Sequence, residues 1–333
     1  NLKKIKWPNS LGHFYSFFTG YLGFRMLEGE YKMMGLATYG KPVYKDIILD
    51  QILLLKADGS YFFNTKLCDY HAALQGSFNE KLIKLIGFPR INSEDPTEQH
   101  LNLASSVQAA FEEAQIHMIK WAKQIYPEID KLVLSGGCAL NVSANGKILS
   151  SKLFDKISLP PAPNDAGCSI GAVLANNYNN ENIFNFSKFK NVNSPYLGRN
   201  YSNDEIKNVF SALNLSIPKK LNDDDLIDFT STALIKKNIV AWFNGRDEFG
   251  PRALGARSIL ADPRNYNIKD DINKKIKKRE LFRPFAPSVI KEECGNYFDI
   301  KQDSPYMNIV GNVLKDKKKI IPAITHIDGT ARI

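Results

Sequence analysis

The chain has 333 residues, of which 44% are hydrophobic and 24% are charged. This composition is typical of a folded protein with more than one domain and excludes an intrinsically disordered chain. The net charge of +9 is uneven, since residues 236–332 hold 20 Lys and Arg against 12 Asp and Glu. Such a surplus predicts an anionic partner there, such as a phosphate, a nucleotide or a nucleic acid. The alternative, a lysine-rich solvated surface, accounts well for Lys315 and for Lys317 to Lys319.

The cysteines and the apolar runs exclude further classes. The four cysteines are far apart and lack CxxC spacing, which predicts reduced thiols in a cytoplasmic protein and neither a disulfide framework nor a zinc site. No apolar run approaches the ~18 residues of a membrane-spanning helix, so no membrane association is expected. Because the chain starts at Asn1 and stops at Ile333 within a polar–apolar alternation, we expect a fragment of a longer protein.

The first half of the chain predicts helices followed by strand–loop–helix units. Residues 11–27 indicate one or two buried helices, and residues 50–90 indicate short strands and a helix. Asp95 is the expected N-cap of a long amphipathic helix, with Pro96 at its first position, ending near residue 124. Two units follow, with strands at residues 132–134 and 156–159, each leading through a loop into a helix. This alternation predicts an α/β sheet.

An Asn-, Ser- and Pro-rich stretch from Tyr178 to about Asn203 predicts a domain boundary, with a linker at residues 189–203 between units 1–188 and 204–333. The second unit is expected to start with a helix near Asp204. It continues with a strand at residues 239–243, a glycine-rich loop, a charged helix at residues 268–278 and further strands.

Two loops of the first unit are candidate ligand sites. Gly136 and Gly137 lie between a strand and a helix, where backbone can approach a phosphate or ribose, and Asn141 lies about one turn into that helix. A tight turn with positive φ is the simpler interpretation when the glycines are taken alone. Asp165 follows a proline-rich loop at a helix start, where it can bind a metal but is, by itself, better explained as an N-cap.

The arginines of the second unit are better explained as an anion-binding site than as structural or solvent-facing residues. Arg246, Arg252 and Arg257 are separated by glycines and a proline, which favours neither a helix nor a solvated face. One guanidinium group can bind two phosphate oxygens at once. A glycine-rich backbone would let several such groups converge on one anion. Arg279 and Arg283 flank a predicted helix end. In residues 326–332, the alternation predicts a strand with Thr330 and Arg332 on one face.

Six segments, in order, resemble the O-carbamoyltransferases of nodulation-factor and antibiotic biosynthesis. They are residues 30–42, 134–148, 161–172, 244–264, 277–289 and 325–332. The resemblance implies a partial actin/sugar-kinase-like ATPase domain followed by a partial YrdC-like α/β domain. It also implies that carbamoyl phosphate and ATP form carbamoyl-adenylate in the second domain. The first domain then transfers the carbamoyl group to a hydroxyl of a sugar-like or natural-product acceptor.

The resemblance also implies roles for individual residues. Gly136, Gly137 and Asn141 would hold the nucleotide, and Asp165 would be one ligand of a divalent metal, Fe(II), with Mg²⁺ accompanying ATP. The family's metal-binding histidines lie before Asn1, so we expect the chain by itself not to complete transfer. The phosphates of ATP and carbamoyl phosphate would be gripped by side chains of the second unit. These are Arg246, Arg252, Arg257, Ser258, Arg279, Arg283, Thr330 and Arg332.

Two other functions remain open from the sequence. A threonylcarbamoyl-adenylate type of tRNA-modification enzyme shares both fold types and would use threonine and bicarbonate. A non-catalytic basic module would bind nucleic acid with steep salt dependence. Because the basic region lacks interleaved aromatic residues and its arginines lie among glycines, we expect a small anionic ligand and no nucleic acid. A homodimer would be usual for the family.

Overall fold

The computed structural model describes residues 2–68, 78–181 and 194–333. The predicted linker therefore lies partly outside the described residues, since only residues 194–203 of it are included. We call residues 2–181 the N-terminal part and residues 194–333 the C-terminal part. Both parts mix helices with short strands, and none of the described helices is long and apolar enough to cross a membrane.

The N-terminal part has seven helices and four strands among its described residues. They are α1 (Leu11–Tyr21), α2 (Glu30–Ala37), α3 (Lys45–Ile47), β1 (Leu53–Leu55), β2 (Tyr61–Phe63), α4 (Glu80–Ile86), α5 (Glu98–Ile125), β3 (Lys131–Val133), α6 (Val142–Ser150), β4 (Lys156–Ser158) and α7 (Cys168–Glu181). A π-helical turn at residues 48–52 continues α3, and 3₁₀ turns at residues 137–140 and 165–167 precede α6 and α7.

An aromatic core holds the N-terminal part together. Phe14, Phe17 and Phe18 of α1 are fully buried and meet Phe63 of β2 and Phe111 of α5 in one apolar cluster. Phe14 and Phe63 pack edge to face with ring centroids 5.7 Å apart. Because α1 and α5 share this core, the residues of α1 that face away from it form a rigid wall for the site described below.

Helix α5 confirms the predicted amphipathic pattern but not its predicted start. Thr97 is the N-cap, and a capping box links it to His100, whose Nδ1 accepts from the Thr97 backbone N–H at 3.1 Å. Asp95 and Pro96 therefore lie before the helix. The free backbone N–H groups of the first turn are satisfied by Thr97 and His100, whereas Asp95 was expected to cap them. The helix ends at Ile125, one residue beyond the predicted end.

The predicted α/β alternation produces a parallel pair, β3–β4, in which Leu132 is opposite Ile157. The C-terminal part instead uses antiparallel strands: β5 pairs with β6, and β7–β8–β9 form a three-stranded sheet. Its elements are α8 (Asn203–Ala212), α9 (Asp223–Ile235), β5 (Val240–Phe243), β6 (Arg257–Leu260), α10 (Ile268–Asp271), β7 (Phe298–Asp299), β8 (Val310–Val313) and β9 (Thr330–Arg332).

The charged helix predicted at residues 268–278 is shorter than expected. Helix α10 ends at Asp271 and passes into a π-helical turn, Ile272–Ile276, closed by the Lys277 N–H donating to the Ile272 carbonyl at 2.8 Å. The wider turn coincides with a fully buried Asn273, whose side chain binds the segment that follows. Such turns are frequent at functional sites.

The two parts contact each other through buried and half-buried polar groups. The Gln302 side chain exchanges two hydrogen bonds with the Ile157 backbone of β4, at 3.0 and 2.9 Å. Asn145 of α6 donates to the Asn308 carbonyl at 2.8 Å, and Asn308 donates to the Pro160 carbonyl at 3.0 Å. These bonds satisfy main-chain groups across the junction and hold β4 and α6 against the segment before β8.

Candidate functional site

A cavity of about 1690 Å³ lies between the two parts. One wall is formed by α1, α2 and the loops before α6 and α7, and the other by residues 251–260, 266–289 and 304–333. The walls differ in charge. Among the described lining residues, the N-terminal wall contributes the carboxylates Glu28, Glu30 and Asp165 and no lysine or arginine. The C-terminal wall contributes one carboxylate, Asp270, and seven cationic side chains. These are Arg252, Lys269, Lys277, Arg279, Arg283, Lys318 and Arg332.

Four arginines of the C-terminal wall form a cluster. Burial and, after it, the charges of Arg252, Arg279 and Arg283 together lower the pKa of Arg332 to about 9. Burial and then Arg283 lower the pKa of Arg279 to about 10, and burial lowers the pKa of Arg252. The buried Nε atoms of Arg252 and Arg332 have no hydrogen-bond partner among the described residues. Repelling cations with unused donors are what a polyanion would stabilise.

Asn273 arranges two of these arginines. Its Nδ2 donates to the Arg283 carbonyl at 2.9 Å, while its Oδ1 accepts from the Arg279 Nε at 2.6 Å. Aromatic rings support the same guanidinium groups, with Phe285 4.7 Å from Arg279 and Tyr31 4.5 Å from Arg283. Stacking on a ring leaves the N–H edge of a guanidinium free for a ligand.

Arg252 is held in place by a loop that closes on Glu248. The Oε1 atom of Glu248 accepts backbone N–H groups from Leu254, Ala256 and Arg257 at 2.8, 2.7 and 3.1 Å. Burial raises the pKa of Glu248, but these donors outweigh burial and keep that pKa below its ordinary value. The carboxylate therefore fixes the glycine-rich turn that carries Arg252 to the cavity.

Two arginines of the same loop lie outside the cavity lining. Arg246 is exposed, and its Nε donates to the Gly198 carbonyl at 3.0 Å. Arg257 stacks on Phe243 at 3.4 Å and pairs with Asp247 at 2.6 Å. The structure therefore brings together only part of the predicted arginine group. Ser258 does line the cavity, and its Oγ accepts from the Gly255 N–H at 3.0 Å.

Strand β9 confirms the predicted alternation, since Ala331 is fully buried while Thr330 and Arg332 share the opposite face. Arg332 lines the cavity and Thr330 does not. The Thr330 hydroxyl donates to Asp328 at 2.7 Å and lies 3.3 Å from Nδ1 of His326. His326 is a cavity residue, and its buried Nε2 has no partner among the described residues.

His326 is expected to make stability depend on pH. Burial lowers its pKa to about 4, with Asp328 opposing the shift and Arg332 and Lys269 adding to it. Between pH 4 and 6.5 the His326 imidazole is protonated in the unfolded chain but neutral in the folded one. The stability that depends on the neutral imidazole is therefore fully present above pH 6.5 and is lost as the pH falls toward 4. The free energy of unfolding should fall by up to ~1.4 kcal/mol per pH unit in this window. Urea unfolding of wild type and of His326→Gln tests this, because the variant should lack that part of the slope; equal slopes would contradict it.

In the Gly136–Gly137 loop of the N-terminal wall, Gly136 forms a tight turn and Gly137 lies beside open space in the cavity. Gly136 has φ of +92°, which confirms the expected tight turn, and its N–H donates to the Pro163 carbonyl at 2.7 Å. Gly137 lines the cavity, and no atom lies within 4 Å of where its Cβ would be. The chain can therefore admit a ligand close to the Gly137 backbone.

Asn141 is the N-cap of α6, so the prediction that it lies one turn into the helix is wrong. The chain first makes a 3₁₀ turn, and the Asn141 Oδ1 then accepts from the Ala144 N–H at 3.0 Å. Asn141 also exchanges two hydrogen bonds with Gln108, at 2.9 and 3.0 Å. Although it lines the cavity, both of its amide atoms are bound within the protein.

Asp165 lies exposed on the cavity wall, at the first residue of the 3₁₀ turn before α7. Its interpretation as an N-cap is wrong, because Asn164 occupies the cap position and no side chain bonds there. Among the described residues, no group of three His, Cys, Asp or Glu side chains can hold a metal ion. A lone carboxylate does not make a metal centre. The described residues do not fit the implied metal, and the steps proposed below are assigned to the chain's own side chains.

Comparison with known proteins identifies the family. The sequence model described as the carbamoyltransferase N-terminus matches residues 2–174, and the one described as the carbamoyltransferase C-terminus matches residues 231–333. The chain belongs to the carbamoyltransferase family. The two matches leave residues 175–230 between them, the stretch in which the domain boundary was predicted.

Curated relatives of this carbamoyltransferase chain include two nodulation proteins. It is 37% identical to nodulation protein NolO of Bradyrhizobium diazoefficiens, over 98% of this chain and 57% of that protein. It is 36% identical to nodulation protein NolNO of Sinorhizobium fredii, over 98% of this chain and 46% of that protein. An uncharacterised protein of Synechocystis sp. is 40% identical, over 99% of this chain and 57% of that protein. The chain thus spans about half the length of these relatives.

Three side chains that support the arginines of the carbamoyltransferase cavity were not predicted from the sequence. Glu248 and Asn273 shape the loops that carry arginines, and Tyr31 stacks on one of them. Glu248 had a possible signal, since a carboxylate within a glycine-rich turn is placed to collect free N–H groups. Asn273 and Tyr31 had none, because the partners of Asn273 are six and ten positions away and the partner of Tyr31 is more than 200 positions away in the sequence.

Proposed function

We propose that this carbamoyltransferase activates carbamoyl phosphate with ATP at the arginine cluster and transfers the carbamoyl group to a hydroxyl at the opposite wall. The observation that carries the proposal is the cluster itself: the charges of Arg252, Arg279 and Arg283 act against that of Arg332, and the buried Nε atoms of Arg252 and Arg332 have no partner among the described residues. ATP and carbamoyl phosphate are polyanions whose phosphates repel until cations neutralise them. Fixed arginines lower that repulsion and orient the reacting groups.

The first step loses phosphate from carbamoyl phosphate, with one water consumed, and the carbamate oxygen then attacks the α-phosphorus of ATP. The bond to pyrophosphate breaks, and carbamoyl-adenylate forms. Arg252, Arg279, Arg283 and Arg332 are proposed to bind the phosphates and the developing charge. Gly137 is proposed to let the nucleotide approach the backbone of the N-terminal wall.

In the second step the acceptor oxygen attacks the carbamoyl carbon, the bond to AMP breaks and the acceptor proton is released. The charge of the N-terminal wall supports this assignment, because no lysine or arginine among its described lining residues would compete for the phosphates. A sugar-like or natural-product acceptor is proposed.

The proposal extends to an actin/sugar-kinase-like fold for the N-terminal part and a YrdC-like fold for the C-terminal part. It also extends to a homodimer and to a divalent metal that residues beyond the described ones would have to complete.

The two steps are separable by substitution. Arg279→Met is expected to reduce carbamoyl-phosphate-dependent formation of AMP and pyrophosphate by ~100-fold or more, because it removes a fixed cation from the phosphate site. Asp165→Asn lies on the other wall and should leave that step within about twofold while lowering transfer to an acceptor. Equal losses of both steps in both variants would contradict the division between the walls. The control is Lys291→Met, because Lys291 is exposed and lies outside the cavity lining; it should leave both steps unchanged.

The glycine pair offers a further test of the nucleotide wall. Gly137→Val should weaken ATP binding at least tenfold and leave thermal stability nearly unchanged, because its side chain would occupy open space toward the ligand. Gly136→Ala should instead lower the free energy of unfolding by ~1–2 kcal/mol, because φ of +92° strains a residue with a Cβ. Calorimetric titration of ATP and thermal melting measure the two effects. Unchanged ATP affinity in Gly137→Val would move the nucleotide away from this loop.

A further inference from the structure

A carboxylate of the C-terminal part lies between two cations at the edge of the cavity. Glu280 Oε1 is 2.6 Å from the Lys32 ammonium of α2, and its Oε2 is 3.6 Å from the Arg283 guanidinium. The three side chains are 31%, 29% and 21% exposed, so water screens them only partly. The packing of Phe24 on Phe282, with ring centroids 6.3 Å apart, fixes the same junction.

The two ion pairs are unequal. The Lys32 pair has hydrogen-bond distance, whereas 3.6 Å to Arg283 is too long for a hydrogen bond. The Oε2 atom of Glu280 is buried and has no hydrogen-bond partner among the described residues. Arg283 instead stacks on Tyr31, the neighbour of Lys32 in α2. Lys32 therefore draws Glu280 toward α2, and the donors of Arg283 stay available to the cavity.

We propose that Glu280 competes with the phosphate of the substrate for Arg283, and that Lys32 restrains Glu280 from doing so. Lys32 and Glu280 are then positioning residues, and α2 controls from the N-terminal part how strongly the arginine cluster binds phosphate. Glu280 is suited to compete, because its charge acts on both arginines that flank it, Arg279 and Arg283. The inference deepens the proposed function, on which it rests for the identity of the ligand.

Competition between Glu280 and phosphate determines whether each substitution weakens or strengthens phosphate binding. In Lys32→Met the released carboxylate closes on Arg283, so inorganic phosphate should bind about three- to tenfold more weakly. In Glu280→Gln the competitor is lost, and phosphate should bind more tightly by a similar factor. In the double variant there is no carboxylate to restrain, so adding Lys32→Met to Glu280→Gln should leave phosphate affinity unchanged. A purely structural bridge would weaken binding in both single variants, and simple charge addition would make Lys32→Met equally harmful in both backgrounds.

Calorimetric titration of the purified chain with inorganic phosphate tests the inference. Lys45→Met is the matched control, since Lys45 pairs with Glu113 on the surface, is similarly exposed and lies outside the cavity lining. Lys32→Arg keeps the restraint and should bind phosphate like wild type, which guards against a folding defect in Lys32→Met. Loss of the Lys32→Met effect in the Glu280→Gln background supports the proposal, and an equal effect in both backgrounds overturns it.

Carbamoyl-phosphate-dependent AMP formation by wild type separates this inference from the proposed function. If phosphate binding follows the pattern while no AMP forms, the restraint by Lys32 stands and the activation chemistry fails. If AMP forms while the substitutions act additively on phosphate affinity, the proposed function stands and the restraint fails. The Michaelis constant for carbamoyl phosphate should follow the phosphate affinities, with the turnover number nearly constant, because neither residue is proposed to touch the reacting atoms.

Discussion

Arg332→Met is expected to reduce carbamoyl-adenylate formation by two to three orders of magnitude (~10²–10³-fold) and at the same time to stabilise the folded protein. The guanidinium group is buried beside three other arginines, and its Nε has no partner among the described residues. Its lowered pKa means that folding disfavours the charge, so replacing it with an apolar side chain of similar length should raise the free energy of unfolding by ~1–4 kcal/mol. The value of kcat/KM for carbamoyl phosphate should fall by ~10²–10³-fold.

Thermal melting and steady-state kinetics of the same preparation measure both effects. Arg264→Met is the control, because Arg264 is exposed, pairs with Asp262 and lies outside the cavity lining. It should leave activity unchanged and should not stabilise the protein. A variant at Arg332 that is both less stable and inactive would mean that this arginine supports the fold through partners of its own, and the cluster would then not be held for a ligand.

Glu248→Ala is expected to have the second largest effect and to lower stability and activity together. Three backbone N–H groups lose their shared acceptor, which should cost ~2–4 kcal/mol of unfolding free energy. Arg252 would lose its fixed position, and a displacement of about 1 Å can reduce kcat/KM by ~100-fold. Because the pKa of Glu248 is lowered, its contribution is present above the ordinary pKa of 4.5 and is lost as pH falls below that value.

Glu248→Gln tests the mechanism of that loss. The amide keeps an oxygen acceptor, so it should retain most of the activity and remove the acid-dependent part of the stability. Glu205→Ala is the matched control, since Glu205 also accepts a backbone N–H, from Ser202 at 2.8 Å, but lies in α8 away from the cavity. Loss of activity in Glu205→Ala as large as in Glu248→Ala would show a general defect in folding and no special role for the loop.

The sequence predicts the fold well where periodicity and capping are local. Of the apolar positions that predict α5, Leu103, Val107, Phe111 and Ala114 are buried, and Met118 is half-buried against the same core. The sequence predicts Asp95 as its N-cap because acidic and hydroxyl side chains can both cap a helix, whereas the hydrogen bond to His100 makes Thr97 the N-cap in the structure. The pairing of strands was less predictable, since the antiparallel order of the C-terminal part depends on contacts between distant segments.

The candidate site was predictable in chemistry and less so in geometry. Glycine-rich spacing pointed to Arg252, and the flanks of a helix end pointed to Arg279 and Arg283, which all line the cavity. The same reasoning selected Arg246 and Arg257, whose carbonyl, ring and carboxylate partners direct them elsewhere. Sequence spacing identifies guanidinium groups suited to an anion, but only folding determines which partners are already taken.

Release of pyrophosphate from ATP, with and without carbamoyl phosphate, tests the central claim most directly. The arginine-lined cavity predicts that pyrophosphate and AMP appear only when carbamoyl phosphate is present, and that Arg332→Met reduces the signal ~10²–10³-fold. Threonine with bicarbonate should not replace carbamoyl phosphate. Pyrophosphate release that ignores carbamoyl phosphate, or that requires threonine and bicarbonate, would contradict the proposed carbamoyl phosphate activation.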